Sequence, residues 1–366
     1  MNRRFVLFVA TGSSGNMRPM VAAARRCAEH GLHVICASNA LWERWIRSHG
    51  VHWRALPQHV ESHITHGATY PDIPEAQSAV SGVRSLRAKF RHIQEQDAAR
   101  NAFKMLLEDV ALVIHPASLS RIRGLADEIG IPSIGVSRSG RGAERRQDRM
   151  TPLLYAVSPA LLEPQVVQSP LEKVCGEWLL PNEAPIPASL GRFMRVNQPY
   201  VIVTHGAFLA PAAMRVVHLT VTAAHALGMR VLALMPADVT SLQSSPETLV
   251  WHQGLPHDEV FAGAACIVHP GGAGTTHRAV RAGVPSLPIP LYPSDTFWAE
   301  RAFRVQLTST RLHVDTISVS TVSDALAQTI TDVVYRYNSR TMAMQMAQEQ
   351  GLENLLHVVR PYLGAS

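Results

Sequence analysis

Charge is scarce in this chain and evenly spread. Only 17% of its 366 residues are charged, against a hydrophobic share of 46%, a balance expected of a globular soluble protein and not of a disordered one. The 34 basic and 28 acidic residues leave a net charge of +6. No extended block of like charge occurs, so nucleic-acid binding is not indicated. Cysteine is sparse, with Cys27, Cys36, Cys175 and Cys266 forming no C-x-x-C pair. Such thiols read as reduced and buried, consistent with a cytoplasmic setting. No apolar run reaches the length of a membrane span, so membrane contact would be peripheral. The apolar residues 5–10 are too few, and meet Gly12 too soon, to serve as a signal peptide. No solenoid-type repeat is present.

What is present is alternation. Residues 5–10 form an unbroken apolar run, as a strand buried on both faces requires. A turn over 11–16 leads to an amphipathic helix over 18–30, a strand over 32–37, a helix over 41–49 and a strand over 51–56. The pattern resumes with a long basic helix over 83–107, a strand over 111–114 ending at His115, a helix over 119–129 and a strand over 131–136. Residues 137–149 are polar and basic and read as an exposed loop. In the second half, strands are expected over 200–204, 230–234 and 249–251, with a helix over 213–227. Helices over 322–335 and 340–362 close the chain. Strand and helix alternating in units of this length imply parallel sheets with right-handed crossovers. The length suits two domains, each with its own core. Pro181, Pro185 and Pro187 crowd one stretch and favour an extended connection there.

Residues 266–300 carry the strongest chemical signal. A short apolar run ends in His269, and Gly271, Gly272, Ala273 and Gly274 follow. Thr275 and Thr276 then open a helix that stops at Gly283, and an apolar run over 286–289 leads to Asp295. Glycines let backbone N–H groups approach a ligand closely, and a helix start adds unpaired amides and a positive dipole end. The stretch reads as an anion cradle, with the two threonines adding cap hydroxyls. It lacks the Gly-Lys-Ser/Thr ending of a nucleotide-hydrolase phosphate loop, and Gly12 and Gly15 do not form a dinucleotide fingerprint. His59, His63 and His66 are spaced for one helical face. A metal site would need a further ligand, so lining a cleft or facing solvent is the favoured reading.

The order of these elements resembles the donor-binding signature of nucleotide-sugar glycosyltransferases with the GT-B fold, the UDP-glycosyltransferase-like superfamily. The likeness is to its bacterial branch of antibiotic, sterol-type and rhamnosyl transferases. It rests on the run from His269 to Thr276, on Gly283-Val284-Pro285, on Asp295-Thr296 and on the upstream Leu255-Pro256-His257-Asp258. The resemblance implies an α/β architecture of two Rossmann-like, doubly wound parallel-sheet domains facing a central cleft. Residues 1–165 would bind the acceptor, 166–196 would link the domains, and 197–366 would bind the donor, with the last helix returning to the first domain. The implied activity is metal-independent, inverting transfer of a sugar from a UDP- or dTDP-sugar to a hydroxyl of a small or lipophilic acceptor of natural-product or glycolipid type. The nucleotide sugar is a co-substrate, and no cofactor is implied.

Carried over residue by residue, the resemblance assigns donor binding to Gly206, Ala207, Leu255, Pro256, His269, Gly271, Gly272, Ala273, Gly274, Thr275, Asp295 and Thr296. His269 would donate to the departing phosphate and Asp295 would accept from sugar hydroxyls. Three departures stand out. Asn16 occupies the position of a His or Asp base, Ala207 that of a serine, and Thr296 that of a glutamine. An amide takes no proton at neutral pH, so either Asn16 orients the acceptor, with His115 as leading substitute base and His66 and His205 behind it, or the acceptor is acidic enough to need little help, or the protein is a poor catalyst. The alternative is a catalytically weakened nucleotide-binding relative that assists another enzyme. Partners under these readings are a nucleotide-sugar donor, a small-molecule or lipid acceptor, and either a second copy or an auxiliary protein.

Overall fold

The amino-terminal apolar run forms β1 (Phe5–Val9), the strand from which the first sheet winds in both directions. In this computed structural model, the residues described are 5–12, 14–56, 100–139, 152–167, 169–180, 185–204, 211–235, 242–252, 257–291 and 295–363. With β2 (His33–Ser38), β3 (His52–Ala55), β4 (Val110–Pro116), β5 (Ser133–Ser137), β6 (Leu153–Tyr155) and β7 (Glu172–Val174), the sheet runs in the order β3-β2-β1-β4-β5-β6-β7. Every pairing in it is parallel. The second sheet, of β8 (Tyr200–Thr204), β9 (Arg230–Leu234), β10 (Thr248–Trp251), β11 (Cys266–His269) and β12 (Ser286–Pro288), has the order β10-β9-β8-β11-β12 and is also parallel. Each sheet reverses its winding beside its first strand, between β1 and β4 and between β8 and β11. Loops at the carboxyl ends of the strands diverge at such a switch point and leave a crevice for ligands.

Helices cover both faces of each sheet, as the separate apolar clusters on either side show. They are α1 (Ser14–Glu29), α2 (Glu43–Ser48), α3 (Ser120–Glu128), α4 (Ala188–Met194), α5 (Pro211–Ala226), α6 (His257–Ala262), α7 (Ala273–Arg281), α8 (Thr296–Arg304), α9 (Val319–Thr331), α10 (Val333–Ala347) and α11 (Gly351–Val359); residues 100–106 are also helical. Among the described residues no helix is long and apolar enough to cross a membrane. The histidines at 59, 63 and 66 lie outside the described residues, as do most of the expected basic helix and loop.

Three boundaries differ from expectation. First, α1 begins at Ser14, four residues early, which places Pro19 inside the helix. Second, the stretch 166–196 is more than a connection. Its β7 extends the first sheet, and Leu190 of α4 is fully buried in a cluster with Tyr200 of the second domain. Short apolar segments bury themselves against whichever sheet edge lies nearest, and proline content alone did not reveal that. Third, the closing segment is three helices, because Asp332 adopts an extended conformation and its carboxylate accepts from Val334 N–H at 2.9 Å, capping a fresh helix. The last helix, α11, crosses back to the first domain. There Leu355, Leu356 and Val359 join the core beside Trp178, and Arg26 of α1 donates to Glu353.

The two domains are joined by a seam with an apolar and a polar part. Leu153, Tyr155, Val157, Leu161 and Leu162 from the first pack with Val280, Trp298, Ala302, Leu307 and Met346 from the second. Around them, the Ser158 N–H donates to His277 Nε2 at 3.1 Å while His277 Nδ1 donates to Ala273 O at 2.7 Å. Arg281 pairs with Glu177 at 2.6 Å, and Glu349 accepts from the Ser158 hydroxyl and from Glu177 N–H. Arg301 donates to Leu161 O at 2.6 Å and Trp298 Nε1 to Arg138 O at 3.0 Å. Polar groups removed from water in this way are costly unless paired, so the seam specifies one relative placement of the domains.

Two outcomes follow from the seam. A Cβ on Gly351 would lie 2.3 Å from Glu177 O, so Gly351→Ala must displace the start of α11. Urea unfolding should register a loss of about 1–3 kcal/mol, and unchanged stability would contradict the close contact. Burial pushes the His277 pKa from 6.5 down to about 4, with Glu177 opposing. The unfolded chain therefore binds the extra proton between these values, and stability falls as the pH drops from 6.5 to about 4. His277→Gln should flatten that acid limb by about one proton; an acid limb identical to that of the parent protein would rule this out.

Candidate active site

The turn between β11 and α7 is built by a close approach. Gly271 has φ +93°, and a Cβ there would lie 2.6 Å from Asp295 O. Only glycine lets the turn pass under the start of α8 in that conformation. The Gly271 N–H donates to His269 Nδ1 at 3.1 Å, which places the ring proton of neutral His269 on Nε2. Gly272, at φ −67°, is the residue before the helix, and a Cβ on it would meet no atom within 4 Å. The helix itself starts at Ala273, two residues before the threonine pair expected to open it. Its first hydrogen bond runs from Thr276 N–H to Gly272 O at 3.0 Å. The N–H groups of Ala273, Gly274 and Thr275 are therefore left without intrahelical partners, at the positive end of the helix dipole.

Two expected roles change. Thr276 is fully buried and its hydroxyl donates back to Gly272 O at 3.0 Å, so it braces the turn instead of capping it. His269 is likewise 0% exposed. Its ring shapes the glycine turn from beneath and does not line an open cleft. Asp295 and Thr296 stand at the start of α8, partly buried, and no hydrogen bond from the helix end goes to the Asp295 side chain. The structure thus brings His269, Gly271, Gly272, Ala273, Gly274, Thr275, Asp295 and Thr296 together. Gly206, Ala207, His205, Leu255 and Pro256 lie outside the described residues.

Across the cleft, Asn16 is exposed in the first turn of α1, its Nδ2 poised 3.1 Å from where a Gly12 Cβ would be. His115 ends up elsewhere. It sits at the carboxyl end of β4 but is only 2% exposed, with Nδ1 donating to Pro116 O at 2.9 Å. Burial lowers its pKa to about 4, so it is a neutral ring inside the domain. A general base must come within hydrogen-bond reach of the proton it takes, and its setting gives His115 no such reach. The strand end was read correctly, but whether its side chain turned in or out was not.

What sequence reasoning missed is Arg138, at the end of β5 in a stretch read as exposed loop. Its guanidinium donates to Gly15 O, and a Cβ on Gly274 would lie 3.6 Å from its NH2. The first lobe therefore reaches the first turn of α7, and the amide-bearing turn faces the cleft. Arg278, one turn along α7 from Gly274, and Arg18, one turn along α1 from Gly15, add further positive charge. Desolvation by burial holds the pKa of both arginines below the usual guanidinium value; Arg278 adds to the push on Arg18, Asp258 opposes both shifts and Glu177 opposes that of Arg278. The only sequence signal was basic residues at glycine-marked positions, and it points nowhere without the fold.

The Erythromycin biosynthesis protein CIII-like, C-terminal domain family matches residues 219–355. The chain is 32% identical over 127 residues to Vancomycin aglycone glucosyltransferase of Amycolatopsis orientalis, covering 34% of this chain and 30% of that one. It is 21% identical over 416 residues to Sterol 3-beta-glucosyltransferase of Candida albicans, covering 95% of this chain and 27% of that one. The chain spans less than a third of the length of these two curated relatives. Among solved structures it is similar to Spinosyn Rhamnosyltransferase SpnG complexed with thymidine diphosphate, with a TM-score of 0.72 at 14% identity, covering 97% of this chain and 99% of that one. The paired parallel sheets and the likeness to the solved structure agree on one architecture: the chain has the GT-B fold, and its residues 219–355 are similar to the Erythromycin biosynthesis protein CIII-like, C-terminal domain family.

Proposed function

We propose that this chain is a metal-independent, inverting glycosyltransferase that moves a sugar from a UDP- or dTDP-sugar to a hydroxyl of a small or lipophilic acceptor. The observation that carries the reading is the set of three outward amides on the first turn of α7, facing the other lobe. Fixed N–H dipoles aimed where negative charge grows stabilise a departing diphosphate without reorganisation. A solved likeness holding thymidine diphosphate supports a nucleoside diphosphate as the donor's leaving part.

In the reaction, the acceptor oxygen forms a bond to the anomeric carbon as the bond from that carbon to the phosphate oxygen breaks. The electron pair of the broken bond goes to the diphosphate, and the acceptor proton passes to a base facing the cleft. A single displacement of this kind inverts the anomeric centre. Asp295, at the mouth of the turn, would accept from sugar hydroxyls, and Asn16 would orient the acceptor hydroxyl from the opposite lobe. His269 acts through the shape of the turn it holds.

Calorimetry with UDP and with dTDP, followed by turnover over a panel of donors and hydroxyl acceptors, tests the reading. Binding of at least one nucleoside diphosphate together with sugar transfer is expected. Binding without transfer would favour an auxiliary role, and no binding to either would sink both. Gly272→Ala sharpens the test, because its new methyl meets no atom of the described residues within 4 Å. The variant should keep its unfolding free energy within about 0.5 kcal/mol, yet lose affinity for the nucleoside diphosphate by about tenfold or more. Full affinity would mean that nothing binds in the space over Gly272. Because His115 is shut inside its domain, His115→Ala should retain turnover within about tenfold, whereas removing a true general base costs about a hundredfold or more.

A further inference from the structure

Resting on that reading of the donor cradle, we propose that Arg138 is a diphosphate-binding residue, supplied by the acceptor-side lobe to the leaving group held on the donor-side lobe. One backbone hydrogen bond is missing from the first turn of α1. In an α-helix the carbonyl of residue 15 would accept from the N–H of residue 19, but residue 19 is proline and has no N–H. Gly15 O is thus vacant within α1, and Arg138 fills it through one arm of its guanidinium. The other arm reaches Gly274, in the turn whose amides point out of the helix. Its main-chain carbonyl is fixed as well, accepting from Trp298 Nε1 at 3.0 Å. The side chain is therefore anchored at both ends, from both lobes, with its charge beside the cradle.

No direct ion pair to Arg138 forms among the described residues, although the charge of Glu177 partly offsets its own. The Arg138 Nε is buried without a hydrogen-bond partner among the described residues. Glu177, the acid whose charge acts on Arg138, is already paired with Arg281 at 2.6 Å. Arg278 and Arg18 stand on the faces of α7 and α1 that continue from Gly274 and Gly15, and neither forms an ion pair among the described residues. Arg138 stands at the positive end of the α7 dipole, and Arg278, further along the helix, repels both it and Arg18, all three partly stripped of water. Burial lowers the Arg138 pKa to about 10, with Glu177 opposing and Arg278 adding a smaller downward push. A polyanion converts this repulsion into attraction, and a diphosphate, which gains charge as the glycosidic bond to it breaks, fits both the place and the sign. Because Arg138 belongs to one lobe and the amides to the other, the leaving group meets its full set of donors only where the lobes meet.

The test measures what the second phosphate contributes. Affinities of UMP and UDP, and of dTMP and dTDP, are compared in the parent protein, Arg138→Ala and Arg138→Lys. Arg138→Ala should cut the gain from the second phosphate by about tenfold to a hundredfold, as expected for charge-assisted hydrogen bonds. Affinity for the monophosphate should fall much less. Arg138→Lys, which keeps the charge but loses the fork, should fall between the two. Turnover should fall through kcat more than through KM, since charge on the diphosphate peaks late in bond breaking. Equal losses for mono- and diphosphate would mark Arg138 as merely structural, and unchanged diphosphate affinity would overturn the proposal while leaving the cradle reading intact. Failure of the parent protein to bind any nucleoside diphosphate would instead defeat the cradle reading itself. If Arg138→Ala does not fold, Arg138→Lys decides alone: a gain from the second phosphate equal to the parent's refutes the assignment.

Discussion

The seam between the lobes is the constraint on which everything else depends. The glycine turn on one domain and the Asn16 turn on the other can act together only if the distance between them is held. Here it is held by groups that pay a penalty if separated. His277 accepts from the Ser158 N–H, Arg281 meets a Glu177 that is buried, and Trp298 fills the apolar part of the seam while donating to Arg138 O. Removing one partner from such a buried charged pair typically costs about 3–5 kcal/mol. Return of the last helix to the first domain's core then makes the carboxyl terminus a strap across both lobes. The arrangement favours one lobe orientation over a freely swinging pair.

The same seam explains the electrostatics of the cleft. Helix α7 serves two purposes along its length. Its first turn presents amides, and its His277 and Arg281 bind the opposite lobe. A helix tied down in this way has its dipole fixed in direction, which is the condition for preorganised stabilisation of charge. Proline at position 19 belongs to the same logic. It costs α1 one hydrogen bond and in exchange leaves a carbonyl to seat a guanidinium from another strand.

Much of this was legible in the sequence, for reasons that can be stated. Apolar runs such as 5–10 and 200–204 are buried on both faces and could hardly be anything but central parallel strands. Gly271 was legible as a turn glycine, since its positive φ and its contact with Asp295 O tolerate nothing larger. The start of α7 was misjudged by two residues, because Thr275 and Thr276 resemble caps although Gly272 holds the preceding position without a side chain. His115 shows the limit more sharply. A histidine at the carboxyl end of a strand suits chemistry and core equally, and only the pleat decides which way it points. Arg138 was illegible for a different reason. Its partners, Gly15 O and Gly274, are more than a hundred residues away on either side, and one of them exists only because residue 19 is proline.

The most direct measurement is a crystal structure of the chain soaked or grown with UDP or dTDP. The account predicts diphosphate oxygens within hydrogen-bond distance of the amides of Ala273, Gly274 and Thr275. Phosphates bound elsewhere in a complex whose cleft is occupied, with those amides facing only solvent, would contradict it.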